Sequence, residues 1–261
     1  MVFRKLFGWG KNDAADQDPP EIDTQISTVT LLPGREVEGE ILLKGGGAGL
    51  KVNHLKLEVV AKALTYDGGS RERYVDRLSA RRSSLEVAAG AEERIAFSGS
   101  LPWECPVTEL AGRALGVDVS LTTKLDWESD SPVRDLDFLH IAAPPLYEAV
   151  LDEFAQEGYF VDGSQIVDSY IPDAEARRSL HQIFFLGDPA RGPEQFGELE
   201  VVFHQNVLGA TVHVRRAARA EHSWSNKPPT RVFQAAHHEV GEADFGERVR
   251  ATLTAITLMG R

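Results

Sequence analysis

The stretch from Thr24 to Lys44, TQISTVTLLPGREVEGEILLK, constrains the fold more than any other part of the chain. Val37, Gly39, Ile41 and Leu43 alternate with Glu36, Glu38, Glu40 and Lys44. Side chains two apart on a strand share a face, so the apolar set turns toward a core and the charged set toward water. Pro33 presets a turn dihedral and Gly34 tolerates positive φ, so the chain can reverse between two extended runs. The stretch predicts an antiparallel hairpin at the first edge of a sheet. Its outer carboxylates discourage stray strand pairing. A glycine inside such a strand predicts a bulge or a close backbone approach at Gly39.

The same period recurs downstream. In the strand VNHLKLEVVAKALTY, Leu55, Leu57, Val59, Ala61 and Ala63 oppose Lys56, Glu58 and Lys62, and His54 sits at its start as a solvated residue. The Gly-rich patch at Gly45, Gly46, Gly47 and Gly49 lacks the Lys-Ser/Thr ending of a phosphate-binding loop and reads as a turn. Leu85–Leu101 predicts two short strands around an Ala-Gly turn, with Ile95, Phe97 and Leu101 alternating. The prolines of LPWECP then block ladder pairing. From Leu115 to Trp127 the odd positions are Leu, Val, Thr and Trp, which predicts a long half-buried strand. Leu136–Ile141 closes a first domain spanning residues 21–143.

Pro144-Pro145 cannot continue a ladder and marks a stiff join. A second domain, residues 146–258, opens with Leu146, Val150 and Phe154 at helical spacing before Gly158. This predicts a short amphipathic helix over 146–157. Ser179–Gly187, Glu198–His204, Val207–Val214 and Thr230–His238 read as strands, the middle two as a hairpin across Gln205-Asn206. The last segment alternates as a strand would, yet Phe245, Val249, Leu253 and Ile256 fit a helix, and Asp244-x-x-Glu247 has the shape of a capping box. The helix is the preferred reading.

Of the 261 residues, 40 are acidic and 28 are Lys or Arg, a net charge of −12 that weighs against nonspecific nucleic-acid binding. The single cysteine, Cys105, excludes an internal disulfide and fits a reducing compartment; within LPWECP it reads as a small buried hydrophobe. No run reaches the roughly 20 apolar residues needed to span a bilayer, and the N-terminus lacks the apolar stretch of a secretory signal. These features place the protein in the cytoplasm.

Four groups of residues invite a functional reading. The start, MVFRKLFGWGK, mixes Phe3, Leu6, Phe7 and Trp9 with Arg4 and Lys5, ahead of an acidic stretch ending at Pro20. This 1–20 tail is a candidate for contact with the inner membrane surface or a partner; the bland alternative is a mobile tail, or one folded on its own domain. Asp67–Arg82 reads as a polar loop carrying Arg71, Arg73, Arg77, Arg81 and Arg82. Guanidinium forks suit carboxylate or phosphate partners, while local pairing with Glu72 and Asp76 is the bland account. Asp126, Glu128, Asp130, Asp135 and Asp137 match no EF-hand spacing and read as a solvated acidic stretch. His204, His213 and His222 could meet only if the register allowed it, and the neighbours His237-His238 would face opposite ways on a regular strand. No nucleophile–base motif, metal-ligand motif or phosphate loop accompanies them, so neither a catalytic residue nor a cofactor is assigned.

The order of these elements resembles a known family. Pro33–Ile41 followed by Val52–Ala61 resembles the first hairpin and next strand of arrestin-type domains, and Phe97–Pro106 resembles the segment after them. From Phe3 to Ile256 the chain resembles the bacterial sporulation-control family known as stage-zero sporulation protein M. The basic-aromatic start, the Pro join, LYEAVLDEFAQEGYF and the QIFF and ELEVVF strands all carry the likeness. The resemblance implies a mainly β protein of two antiparallel, arrestin-like β-sandwich domains side by side. It also implies a non-enzymatic cytoplasmic regulator or adaptor of sporulation or stress-phase development, acting through protein contacts. The competing readings are a small-ligand or metal-binding protein using the second-half histidines, and a structural homo-oligomer pairing through a sheet edge.

Overall fold

The computed structural model describes residues 20–258 apart from 48, 66, 81–84, 128–132, 169–179, 189–198 and 218–228. The first half holds β1 (Glu21–Ile26), β2 (Glu36–Lys44), β3 (Leu50–Leu64), β4 (Ser70–Ala80), β5 (Leu85–Val87) and β6 (Glu92–Ser100). A small hairpin, β7 (Glu109–Leu110) and β8 (Arg113–Ala114), precedes β9 (Val119–Trp127) and β10 (Val133–Phe138). Helix α1 (Pro145–Gln156) leads into β11 (Phe160–Asp168), β12 (Leu180–Gly187), β13 (Leu199–Gln205), β14 (Gly209–Arg216) and β15 (Arg231–Ala236), and α2 (Gly246–Leu258) ends the described chain. The protein is mainly β, as the alternation predicts.

In the first half, β1, β2 and β6 form one layer and β10, β9, β3 and β4 another. β4 turns the corner between them: it pairs with β3 as far as Leu78 and with β6 at Ser79 and Ala80. Val37, Ile41 and Leu43 of β2, Ile95 and Phe97 of β6, Leu57 and Val59 of β3, and Leu121 and Leu125 of β9 are buried together. Gly39 lies in regular register with Ile26 and Phe97, so there is no bulge at this position. The close approach is present instead: a Cβ there would stand 2.3 Å from the Gln25 carbonyl oxygen and 2.5 Å from the Phe97 ring.

Several expectations need correction. The Pro33-Gly34 turn is present, with the Arg35 N–H donating to the Leu32 carbonyl at 3.1 Å and Gly34 at φ 74°, and β1 pairs antiparallel with β2, but their ladder ends at Ile26 and Gly39, short of that turn. β1 ends at Ile26, and the chain runs through Leu31, bridged to Ile141, before β2 begins at Glu36. β2 is therefore interior, flanked by β1 and β6, and the sheet edge is β1. Asp67–Arg82 is not a loop; most of it is β4, whose Val75 and Leu78 are buried among charged neighbours. The strand drawn from Leu115 starts at Val119, and its even positions Ser120 and Thr122 are buried too. Phe160–Asp168, with no clear alternation, is a strand because it pairs along β12.

The second half follows local signals closely. Pro145 stands at the first helical position of α1, where its missing N–H costs nothing. Leu146, Val150 and Phe154 are buried, and Gly158 (φ 88°) ends the helix. Its N–H donates to the Ala155 carbonyl and that of Tyr159 to the Phe154 carbonyl, a Schellman closure. In α2, Val249, Thr252 and Ile256 are buried beneath Phe245, and the Asp244 carboxylate accepts the Gly246 N–H at 2.7 Å. Tyr147 of α1 stacks on Phe203 at 4.0 Å and meets Phe184 edge-on at 6.0 Å.

The halves are knitted together. β11 pairs in parallel with β3 at Val167 and Leu64, so one path of strands runs from β1 to β15. One apolar cluster extends from Leu31 to Ile256. Arg73 reaches Asp168 at 2.6 Å. The Gln182 side-chain amide accepts the Val107 N–H and donates to the Val107 carbonyl, both at 2.8 Å.

Candidate functional site

Side chains contact backbone groups at both ends of this strand path. At β1 the Thr24 N–H donates to Asp135 Oδ2 at 2.8 Å, and the Thr24 and Thr123 hydroxyls lie 2.7 Å apart. At β15 the Gln234 carbonyl accepts from Arg248 and the Ala236 N–H donates to Glu239. The hydrogen bond from Arg248 holds the Glu239 carboxyl down at about 2. Unpaired edges recruit foreign strands, and capping their backbone groups suppresses this. These contacts occupy one backbone group of β1 and two of β15.

Strand β10 is inside out. Its odd positions, Asp135 and Asp137, turn toward β1, while Leu136 and Phe138 are exposed, Phe138 at 65%. Burial pushes the Asp137 carboxyl up to about 6, with help from Asp135 and Asp23. Residues opposite one another across paired strands share a face. Phe138 lies opposite Ser120, Ser120 opposite Val60, and Val60 opposite Tyr74, itself 51% exposed. The next row is Leu136, Thr122, Glu58 and Arg77, and the third is Arg134, Lys124 and Lys56. A row with an exposed aromatic side chain at each end, and Ser120 and Val60 buried between them, therefore crosses the outer face of β10–β9–β3–β4, bordered by cations.

The charges on this face are networked. Lys124 and Arg77 share Glu58, at 2.8 and 3.3 Å, and their hydrogen bonds hold its carboxyl below the usual range. Arg134 reaches Glu72 at 2.8 Å and the Thr122 hydroxyl at 3.2 Å. The arginines singled out in the sequence divide. Arg77 belongs to this face, whereas Arg71 and Arg73 lie opposite Ala63 and Ala61 on the other side of β4 and meet Asp67 and Asp168. Arg81 and Arg82 lie outside the described residues, as do Phe3, Arg4, Lys5, Leu6, Phe7 and Trp9.

The histidines take a different arrangement from the one expected. His237 and His238 stand on a 3-10 turn after β15, not on a strand, and the His237 ring contacts the Asn206 carbonyl. His204 and His213 do meet, with ring centroids 4.7 Å apart, and His181 completes the row, its Nδ1 3.1 Å from His204 Nε2. His222 lies outside the described residues. Burial lowers His204 to about 3 and His213 to about 4, so both rings are neutral at neutral pH. Among the described residues no group of three or more His, Cys, Asp or Glu is placed to hold a metal ion. Beside the row, a cleft of about 20 Å³ lined by Cys105, Tyr147, His181 and His204 has room for about one water.

The profile described as SpoOM protein matches residues 17–216, more than half of the chain. This protein belongs to the SpoOM family. Sporulation-control protein spo0M of Bacillus subtilis (strain 168) is 25% identical over 209 residues, 78% of each chain. The crystal structure of Spo0M from Bacillus subtilis matches with a TM-score of 0.73 at 20% identity, covering 90% of this chain and 97% of that one. The fold is thus shared with a solved SpoOM-family structure. No helix among the described residues is long and apolar enough to cross a membrane.

In this SpoOM-family chain, the features that sequence reasoning missed are Leu136, Phe138 and Tyr74. The RDLDF run does alternate, and that was the available signal. Alternation says which side chains share a face; only pairing says which face is inside.

Proposed function

We propose that this protein is a non-enzymatic regulatory adaptor of sporulation or stress-phase development that works by docking other proteins. Its relative in Bacillus subtilis is named a sporulation-control protein, which supports the process. The single observation that supports the mechanism is the inside-out strand β10, which spends Leu136 and Phe138 on solvent. Exposed aromatic and Arg side chains on one surface have the composition of interface anchors. Cytoplasmic location belongs to the same reading. So does a role for the N-terminal peptide Phe3–Trp9 and the Arg71–Arg82 segment as auxiliary contacts with a partner or the inner membrane surface.

The test is site-specific photo-crosslinking in the native cell, with the photoreactive residue at position 138 and a control at exposed Val29 in the connection between β1 and β2. A discrete protein adduct at 138 and none at 29 is expected. Absence of any adduct at 138, or the same adducts at both sites, overturns the docking face. Liposome flotation of the full chain against a variant lacking Met1–Lys11 tests the peptide; equal flotation, or none for either, removes membrane contact by that segment.

A further inference from the structure

The charge on this face identifies the chemistry of what it binds. The chain carries a net −12, yet on the outer face of β10–β9–β3–β4 the five cations Lys56, Lys62, Arg77, Lys124 and Arg134 outnumber the four carboxylates Glu58, Glu72, Asp118 and Asp126. Lys56 pairs with no described carboxylate. Phe138 and Tyr74 stand at the two ends of a row three strand spacings wide, about 14 Å, which four or five extended residues cover. Side chains already occupy the Thr24 N–H on the edge strand β1 and the Gln234 carbonyl on β15.

We propose that this face binds an extended segment of a partner protein that alternates apolar side chains with carboxylates. The proposal rests on the docking reading above and adds the partner's chemistry. Apolar side chains of the segment cover Phe138, Leu136 and Tyr74, and its carboxylates meet Lys56 and compete for Arg77 and Lys124. Electrostatic complementarity of this kind chooses partners and speeds encounter more than it tightens binding, while the aromatic anchors carry the affinity.

The experiment titrates the full chain with a fluorescein-labelled synthetic hexapeptide alternating Phe and Leu with Glu, followed by anisotropy at low and high salt. The comparison variants are Phe138→Ser and Lys56→Glu, both at exposed positions, with thermal melts confirming that they fold. The expected result is binding that weakens about tenfold in each variant and weakens with salt, with none for the same peptide carrying Lys in place of Glu. Affinity in either variant unchanged from the unsubstituted chain, equal binding of the Lys peptide, or no binding overturns the proposal. So does capture by anionic phosphatidylglycerol vesicles that depends on Phe138 while the peptide fails, an outcome that assigns the face to lipid. If adducts at position 138 still form in cells while the peptide fails, only the partner chemistry falls; if both fail, the docking face falls with it.

Discussion

Replacing Gln182 with Leu removes the buried clamp between the LPWECPV segment and β12. Gln182 is 9% exposed, and its amide satisfies both the N–H and the carbonyl of Val107, which is fully buried, and also donates to the Ser164 hydroxyl. Leu fills a similar volume but returns neither hydrogen bond. Each buried backbone group left unpaired costs about 1–3 kcal/mol, so the loss of both bonds costs about 2–6 kcal/mol. For a chain of this size that is a fall in melting temperature on the order of 5–15 °C. The effect is also local, and the single cysteine reports it. Cys105 is buried two residues before Val107, so the segment must open before a thiol reagent can reach it. If opening becomes easier by about 2 kcal/mol or more, Cys105 labelling in native buffer accelerates about 30-fold or more. Ser164→Ala, which spares the Val107 bonds, is expected to shift both readouts far less. Unchanged melting and unchanged labelling in Gln182→Leu would refute the claim that this amide holds the two halves together.

Three further outcomes follow from the geometry. His204 and His213 are buried and neutral, so the unfolded chain binds more protons than the folded one below pH 6.5; stability falls from pH 7 to pH 5 by about 3 kcal/mol, and urea unfolding of a His204→Gln/His213→Gln chain should show less than half of that slope. Asp137 has the opposite sign: its carboxyl is raised from the ordinary value of about 4 to about 6, so stability falls as pH rises between those two values and stays lower above them; after solvent screening, Asp137→Asn should stabilise by about 1 kcal/mol or less at pH 8, by roughly half as much at pH 5, and not below pH 4. Gly39→Ala places a methyl against the Gln25 carbonyl and the Phe97 ring, and denaturant unfolding should show a loss of roughly 1–3 kcal/mol; a neutral result would mean that β1 can move away from β2.

Sequence alone determined what depends on neighbours along the chain. Alternation placed Val37, Ile41 and Leu43 on the buried face of β2, and the run from Pro144 to Gly158 set the limits of α1. Those elements are dictated by side-chain period and by backbone chemistry at their ends, so a single sequence suffices. Composition misled where a strand wears charges: β4 looked like a loop because its arginines hid the buried Val75 and Leu78. The family resemblance rested on the order of such local elements, and the SpoOM match agrees with it.

Tertiary structure decided everything that depends on which strand lies beside which. Thr24 meets Asp135 across 111 positions, Gln182 meets Val107 across 75, and the histidine row gains His181 only because β12 and β13 pair. The candidate face is of the same kind. In β10 the sequence offered two sets, Asp135 with Asp137 and Leu136 with Phe138, and the ordinary expectation buries the apolar one. The pairing of β10 with β9, and the Thr24 N–H on β1, turn the carboxylates inward and half-bury them instead, and turn Phe138 to solvent. Strand period fixes membership of a face, but which face is inside is a pairwise, nonlocal property that no local pattern contains.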